Sequence, residues 1–258
     1  MKKFFRFIFG FILVALIVAG GTYYYYSKDQ AEKLTAQMPL DQAFTEVTMR
    51  ADFVPADQIP QFAKEATVAV EDARFYIHSG LDLMGIFRAA LSQVIPVFDR
   101  SGGSSITQQV VKNLYGKFEG GLSWKGTEMI LALDLERSFS KDQILAVYMN
   151  IINYGDNFTG IGQASWGYFA CDPMMLNEAE ASLLAGIPQS PANFGLNDHF
   201  DAAKNKQKVV LEAMVRNNDI SQEQADQIYA EPISFIQYGQ WVTAMADPVP
   251  FDILLQLI

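Results

Sequence analysis

Phe7 to Tyr26 is an uncharged run of 20 residues, and it constrains the chain more than any other segment. At about 1.5 Å of rise per residue, a helix of that length crosses the hydrocarbon core of a bilayer. Lys2, Lys3 and Arg6 precede it, so the positive end is expected to stay in the cytoplasm. Tyr23 to Tyr26 close the run, as an aromatic belt at the outer interface does. The competing reading is a cleaved signal peptide, with Ala19-Gly20-Gly21 at the cleavage site. The run is long for a signal, which favours an uncleaved single-pass anchor. Residues 1–27 are therefore read as cytoplasmic tip and transmembrane anchor. Residues 28–45, mostly polar, read as a stalk with one short helix.

Charge narrows what the remainder can bind. Beyond residue 30 there are 15 Lys/Arg against 28 Asp/Glu. Nucleic acid is an unsuitable partner for such a surface. Any anionic substrate must be held by a local basic cluster against the overall field. The single cysteine, Cys171, permits neither an intrachain disulfide nor a zinc-type cysteine cluster, and reads as a semi-buried small residue.

From Ala51 onward helix signals dominate. Pro60 can open a helix that runs to Glu71. A second is expected from Leu83 to Val94, before Pro96. Gly102-Gly103 break the chain, and Ser104 or Ser105 can cap the next helix. Thr127 to Arg137 is strongly helical. Ser140 with Gln143, Asn177 with Glu180, and Ser221 with Gln224 are capping boxes. No segment sustains the alternation a sheet needs, although Thr45 to Met49 could form one short strand.

Two segments carry chemistry. In AVEDARFYIHSGLDLMGIFRAA, Ala69 to Ala90, adjacent carboxylates Glu71 and Asp72 lie where an apolar helix ends. Partial desolvation and a like-charged neighbour both favour the protonated form, which suits a general base. In GGSSITQQVVKN, Gly102 to Asn113, a tight small-residue turn opens a helix whose N–H groups can face an anion. Ser104, Ser105, Thr107 and Gln108 can add donors, and Gln109 and Lys112 share a helix face. Lys112 offers a point charge to a pyrophosphate.

These segments resemble the first two motifs of the peptidoglycan glycosyltransferases, glycosyltransferase family 51. Glu71, Asp72, Phe75, His78 and Gly80 match EDxxFxxHxG throughout. Trp124-Lys125-Gly126-Thr127-Glu128 resembles the third motif, with tryptophan where arginine is usual. Lys141 to Asn150 resembles the fourth, with Ala146 in place of a glutamate, and Gly160 to Phe169 the fifth. The likeness covers about residues 45 to 230. Ser138-Phe139-Ser140-Lys141 matches the SxxK of transpeptidases, but the chain has no KTG triad.

The resemblance implies an all-α, lysozyme-like, two-lobed domain over residues 46–230, with no role assigned to residues 231–258. It implies Glu71 as catalytic base and Glu128 as the second active-site carboxylate. Asp72, Phe75, His78, Ser104, Ser105, Thr107, Gln108, Gln109, Lys112, Asn113 and Lys125 are the expected substrate-binding set, together with Tyr148 and Asn150 facing the cleft. A divalent cation, Mg2+ or Mn2+, is expected, with Glu128 as a ligand. The implied partners are lipid II, the growing lipid-linked glycan strand, the bacterial cytoplasmic membrane and other cell-wall synthesis proteins. The expected reaction polymerises lipid II with inversion and releases undecaprenyl pyrophosphate, outside the membrane. Two alternatives stand beside it: a glycan-cleaving enzyme on the same scaffold, and a catalytically impaired member that binds glycan or assembles a cell-wall complex. The apolar piece Val94 to Phe98 is a candidate to dip into the bilayer surface.

Overall fold

A computed structural model of the chain describes residues 2–92, 103–117 and 121–236. In chain order the helices are α1 Lys2–Gln37, α2 Leu40–Thr48, α3 Gln61–Glu71 and α4 Leu83–Ser92. Then come α5 Ile106–Leu114, α6 Gly121–Ser138, α7 Lys141–Ile151 and α8 Ile161–Phe169. The last are α9 Glu178–Gly186, α10 Pro191–Phe194, α11 Leu196–Asn217 and α12 Gln222–Ala230. Among the described residues there is no strand, only one isolated bridge between Asn153 and Thr159. The all-α expectation therefore holds. Val94 to Phe98, Gly102 and residues 237–258 lie outside the described residues.

The chain forms two compact units, one of residues 1–49 and 76–144, the other of 50–75 and 145–258. In the first, α1 is one unbroken helix, and Arg6–Gln37 is long and apolar enough to cross a membrane. The expected stalk is thus no separate segment: residues 28–37 continue α1, and 40–48 form α2. A stripe along α1 explains this. Ser27 and Ala31 are buried, with Tyr23 and Leu34 partly buried on the same side, at the spacing of one helix face. That face packs on α6. Tyr23 Oη donates to Leu122 O at 2.6 Å, and Thr127 Oγ1 donates to Ser27 O at 3.2 Å. Tyr23 is consequently a docking residue, whereas Tyr24, Tyr25 and Tyr26 stay exposed, as an aromatic belt requires.

The strand considered at Thr45 to Met49 is instead the end of α2. β-branched residues favour strands only weakly, and here helical spacing wins, because it buries Leu40, Ala43 and Phe44 together. Phe44 stacks on Phe139, ring centroids 3.7 Å apart. In the second unit, α3 packs on α9 and α11 through small residues, Ala66, Ala69, Ala179 and Ala185, over a core of Val210, Leu211 and Met214. Residues 231–236, unplaced from sequence, lie on this unit: Ile236 N–H donates to Tyr168 O at 2.7 Å, and Phe235 stacks on Phe200.

Candidate active site

In the second unit Glu71 is the last residue of α3, and Asp72 leaves the helix as its C-cap, φ −156° and ψ 71°. The Asp72 N–H still bonds Val68 O at 2.9 Å, and Phe75 N–H closes a turn onto Asp72 O at 2.8 Å. Asp72 and Phe75 are both buried, with Phe75 fully enclosed. They hold the turn that follows α3. Glu71 is half-buried, and its Oε1 is sealed from solvent.

Tyr148 and Tyr154 are fully buried nearby in this unit. Burial first, then the Glu71 charge, raises both phenols well above the ordinary tyrosine range, so both remain neutral in the field of that carboxylate. Tyr148 was expected to face the cleft; the structure encloses it completely. Asn150 was expected there too, but its amide is occupied. Oδ1 accepts Val54 N–H at 2.8 Å, and Nδ2 donates to Val54 O and Ala146 O, each at 2.8 Å. It fastens residues 52–54 to α7.

The first unit holds the cationic cluster. Ser105 caps α5, its hydroxyl accepting Gln108 N–H at 3.1 Å and donating to Gly80 O at 2.6 Å. Gln108 completes the capping box through Ser105 N–H at 3.0 Å, and its Nε2 donates to Glu128 Oε1 at 2.9 Å. Both are sealed from solvent. On α6, Lys125 Nζ lies 2.6 Å from the same Glu128 oxygen and 2.7 Å from Ser104 Oγ. Glu128 is buried while Lys125 remains one-third exposed. The ammonium has three N–H donors, and these two bonds use two of them, so one is left to meet an anion. Sequence had suggested four added donors for an anion, Ser104, Ser105, Thr107 and Gln108; the structure spends Ser105 and Gln108 on building the cluster, with Ser104 and Lys125 at its partly open edge.

Thr107 turns away from this group. Its hydroxyl donates to Glu136 Oε1 at 2.6 Å, and Lys141 Nζ meets the same atom at 2.6 Å. Glu136 was missed from sequence, where it is one helix acid among several. It also disposes of the SxxK resemblance, since Lys141 is neutralised and Ser138 Oγ donates to Asp134 O. Gln109 and Lys112 are half-buried, and Asn113 Nδ2 donates to Gln109 O at 2.8 Å. Lys112 stands in the last turn of α5, about 10 Å along the axis from the capping serine. His78 is half-buried in the turn before α4.

The two departures from the family motifs have different surroundings. Ala146 is buried among the apolar residues of α7. Trp124 is half-buried, and its indole Nε1 is sealed without a hydrogen-bond partner. That position has been given over to packing. Among the described residues no three Asp, Glu, His or Cys side chains gather, and Glu128 accepts two hydrogen bonds at one oxygen, Oε1.

The transglycosylase family model matches residues 37–215. This chain belongs to the transglycosylase family. Among similar proteins, penicillin-binding protein 1A of Neisseria flavescens is 37% identical over 191 residues, 74% of this chain and 24% of that protein. Penicillin-binding protein 2D of Bacillus subtilis is 36% identical over 200 residues, 78% of this chain and 29% of that protein. This transglycosylase chain spans about a quarter of the length of the curated relatives it matches. A crystal structure of penicillin-binding protein 1A from Haemophilus influenzae is similar at 20% identity, over 75% of this chain and 20% of that one, with a TM-score of 0.44.

Proposed function

We propose that this chain is a membrane-anchored peptidoglycan glycosyltransferase that polymerises lipid II. The observation that carries the reading is the Ser104–Lys125–Glu128–Gln108 cluster, inside the region that matches the family. A buried carboxylate fixes a lysine whose remaining N–H is unspent, which preorganises a positive point at an otherwise acidic surface. Such a point binds a phosphate without reorganising during reaction. Glu71, at the C-terminal end of α3 with one oxygen enclosed, is the base that takes the proton from the acceptor 4-hydroxyl. The oxygen then attacks C1 of the donor sugar with inversion and undecaprenyl pyrophosphate leaves; Lys125 is the cation assigned to its phosphates. Lys112 supplies a second cation for the same anionic substrate. A divalent cation belongs in this reading as a companion of the pyrophosphate, since among the described residues no three Asp, Glu, His or Cys side chains gather.

The exposed apolar part of α1 holds the chain in the cytoplasmic membrane where lipid II lies, with the charged N-terminus inside and the chain after the anchor outside. Other cell-wall synthesis proteins are partners consistent with that location. Purified full-length chain incubated with lipid II in detergent tests the reading. Glycan polymer that depends on Glu71 is the expected result. Cleavage of existing strands, or binding without turnover, would replace it with one of the two alternatives.

A further inference from the structure

Gly126 is a glycine inside α6, where glycine costs about 1 kcal/mol relative to alanine. The reason for it is the approach of α1. A Cβ at this position would run into Ser27 Oγ, and would lie 2.8 Å from the Tyr23 ring and hydroxyl. Ser27 is buried at the crossing, and its backbone carbonyl accepts the Thr127 hydroxyl. One turn earlier, Tyr23 Oη is bonded to Leu122 O at 2.6 Å. The same short stretch of α6, residues 122–128, therefore meets the anchor helix through Leu122, Gly126 and Thr127, and reaches Ser104 and Gln108 through Lys125 and Glu128.

We propose that Tyr23 and Ser27 of the anchor helix are positioning residues for the Lys125–Glu128 pair. This rests on the reading above, in which that pair receives the pyrophosphate. α6 is rigid over one turn, so the depth at which α1 seats on Gly126 sets where Lys125 and Glu128 stand relative to Ser104 and Gln108. Their bonds of 2.6 to 2.9 Å tolerate a displacement of only about 0.5 Å before they loosen. On this view the anchor helix does more than keep the enzyme near its lipid. It forms the back wall of the anion site, and its influence persists where tethering to a bilayer is irrelevant.

The test uses the full chain in detergent, with lipid II solubilised in the same micelles. Wild-type polymerisation is measured first; if it is absent, the functional reading fails and the positioning claim falls with it. With an active wild type, Gly126→Ala should lower kcat by about tenfold with KM within about twofold, the signature of a displaced catalytic group. Gly126→Ala combined with Ser27→Ala, which removes the nearest of the atoms the new methyl meets and leaves only the Tyr23 contact, should recover part of the lost kcat. Tyr23→Phe, which deletes only the bond to Leu122 O, should lower kcat about threefold. If the active fraction of Gly126→Ala turns over at the wild-type rate and only melts earlier, or if only KM changes, the proposal is overturned. Should Gly126→Ala fail to fold, Tyr23→Phe decides, and an unchanged kcat there overturns the proposal equally.

Discussion

Replacing Gln108 by glutamate isolates what this side chain does. Its amide is divided between two tasks, Oε1 accepting Ser105 N–H at 3.0 Å and Nε2 donating to Glu128 Oε1 at 2.9 Å. Glutamate has nearly the same shape and keeps the first bond. It turns the second into two carboxylate oxygens face to face. At that separation, with an effective dielectric near 20, two negative charges repel by about 6 kcal/mol. Lys125, 2.6 Å from the same Glu128 oxygen, also attracts the new charge, and taking that attraction as roughly half of the repulsion leaves about 3 kcal/mol. The least costly escape is a proton held between the two carboxylates, which raises the pair's pKa above the unfolded value of about 4.3. The folded variant then binds a proton that the unfolded chain lacks. Its stability relative to wild type is greatest in acid and falls by about 1.4 kcal/mol per pH unit as pH rises toward the raised pKa. For a chain of this size, about 3 kcal/mol corresponds to roughly 6–12 °C in Tm. Thermal melts of wild type and Gln108→Glu in detergent, from pH 4.5 to 8, read the difference directly. A Tm gap that stays constant over that range would refute the shared-proton argument.

Three further outcomes follow from the same geometry. Glu71→Gln should cut polymerisation by about 10²–10⁴-fold with the melting temperature unchanged, because an amide keeps the shape and cannot accept the hydroxyl proton; near-normal turnover removes Glu71 from the chemistry. Trp124→Arg should melt lower and gain no activity, since the indole is packed with its N–H sealed and a guanidinium there would bring a charge into a site built for a ring; a faster enzyme of equal stability would show that the position still addresses phosphate. Asn150→Ala should cost about 2–4 kcal/mol of stability through three lost hydrogen bonds, with kcat and KM of the folded fraction unchanged; a selective loss of substrate affinity would return Asn150 to the binding surface.

Local signals were the legible ones. The capping boxes at Asn177 and Ser221 stand where residue spacing placed them, because a cap involves residues only three apart, and of the two serines offered as a cap for α5 it is Ser105 that serves. Ser140 and Gln143 likewise bond each other ahead of α7. The position of Glu71 at a helix end followed from Pro60 and the apolar run behind it. What escaped was decided across long separations. Ser27 and Thr127 are 100 residues apart, so nothing near either announces their bond. The signal present was Gly126 itself, a helix interior glycine with no local justification. Gln108 and Ser105 read as donors for a ligand, because the partners that occupy them, Glu128 and Gly80, are distant in sequence. Tyr148 and Asn150 were assigned to the cleft by their motif, and only packing shows the first enclosed and the second bound to the backbone of Val54.

The continuity of α1 fixes a rotational phase between lipid and protein. The exposed apolar turns and the stripe of Tyr23, Ser27 and Ala31 belong to one rod, so each faces a direction determined by the other. One residue inserted between Tyr26 and Ser27 would turn the upstream part by about 100° and lift it by about 1.5 Å. Tyr23 would leave Leu122 and face lipid, while one of the exposed tyrosines would swing onto α6. Four residues would restore the angle within about 40° and raise the rod by a full turn. A foreign anchor grafted onto this domain must therefore match it in register as well as in length and hydropathy.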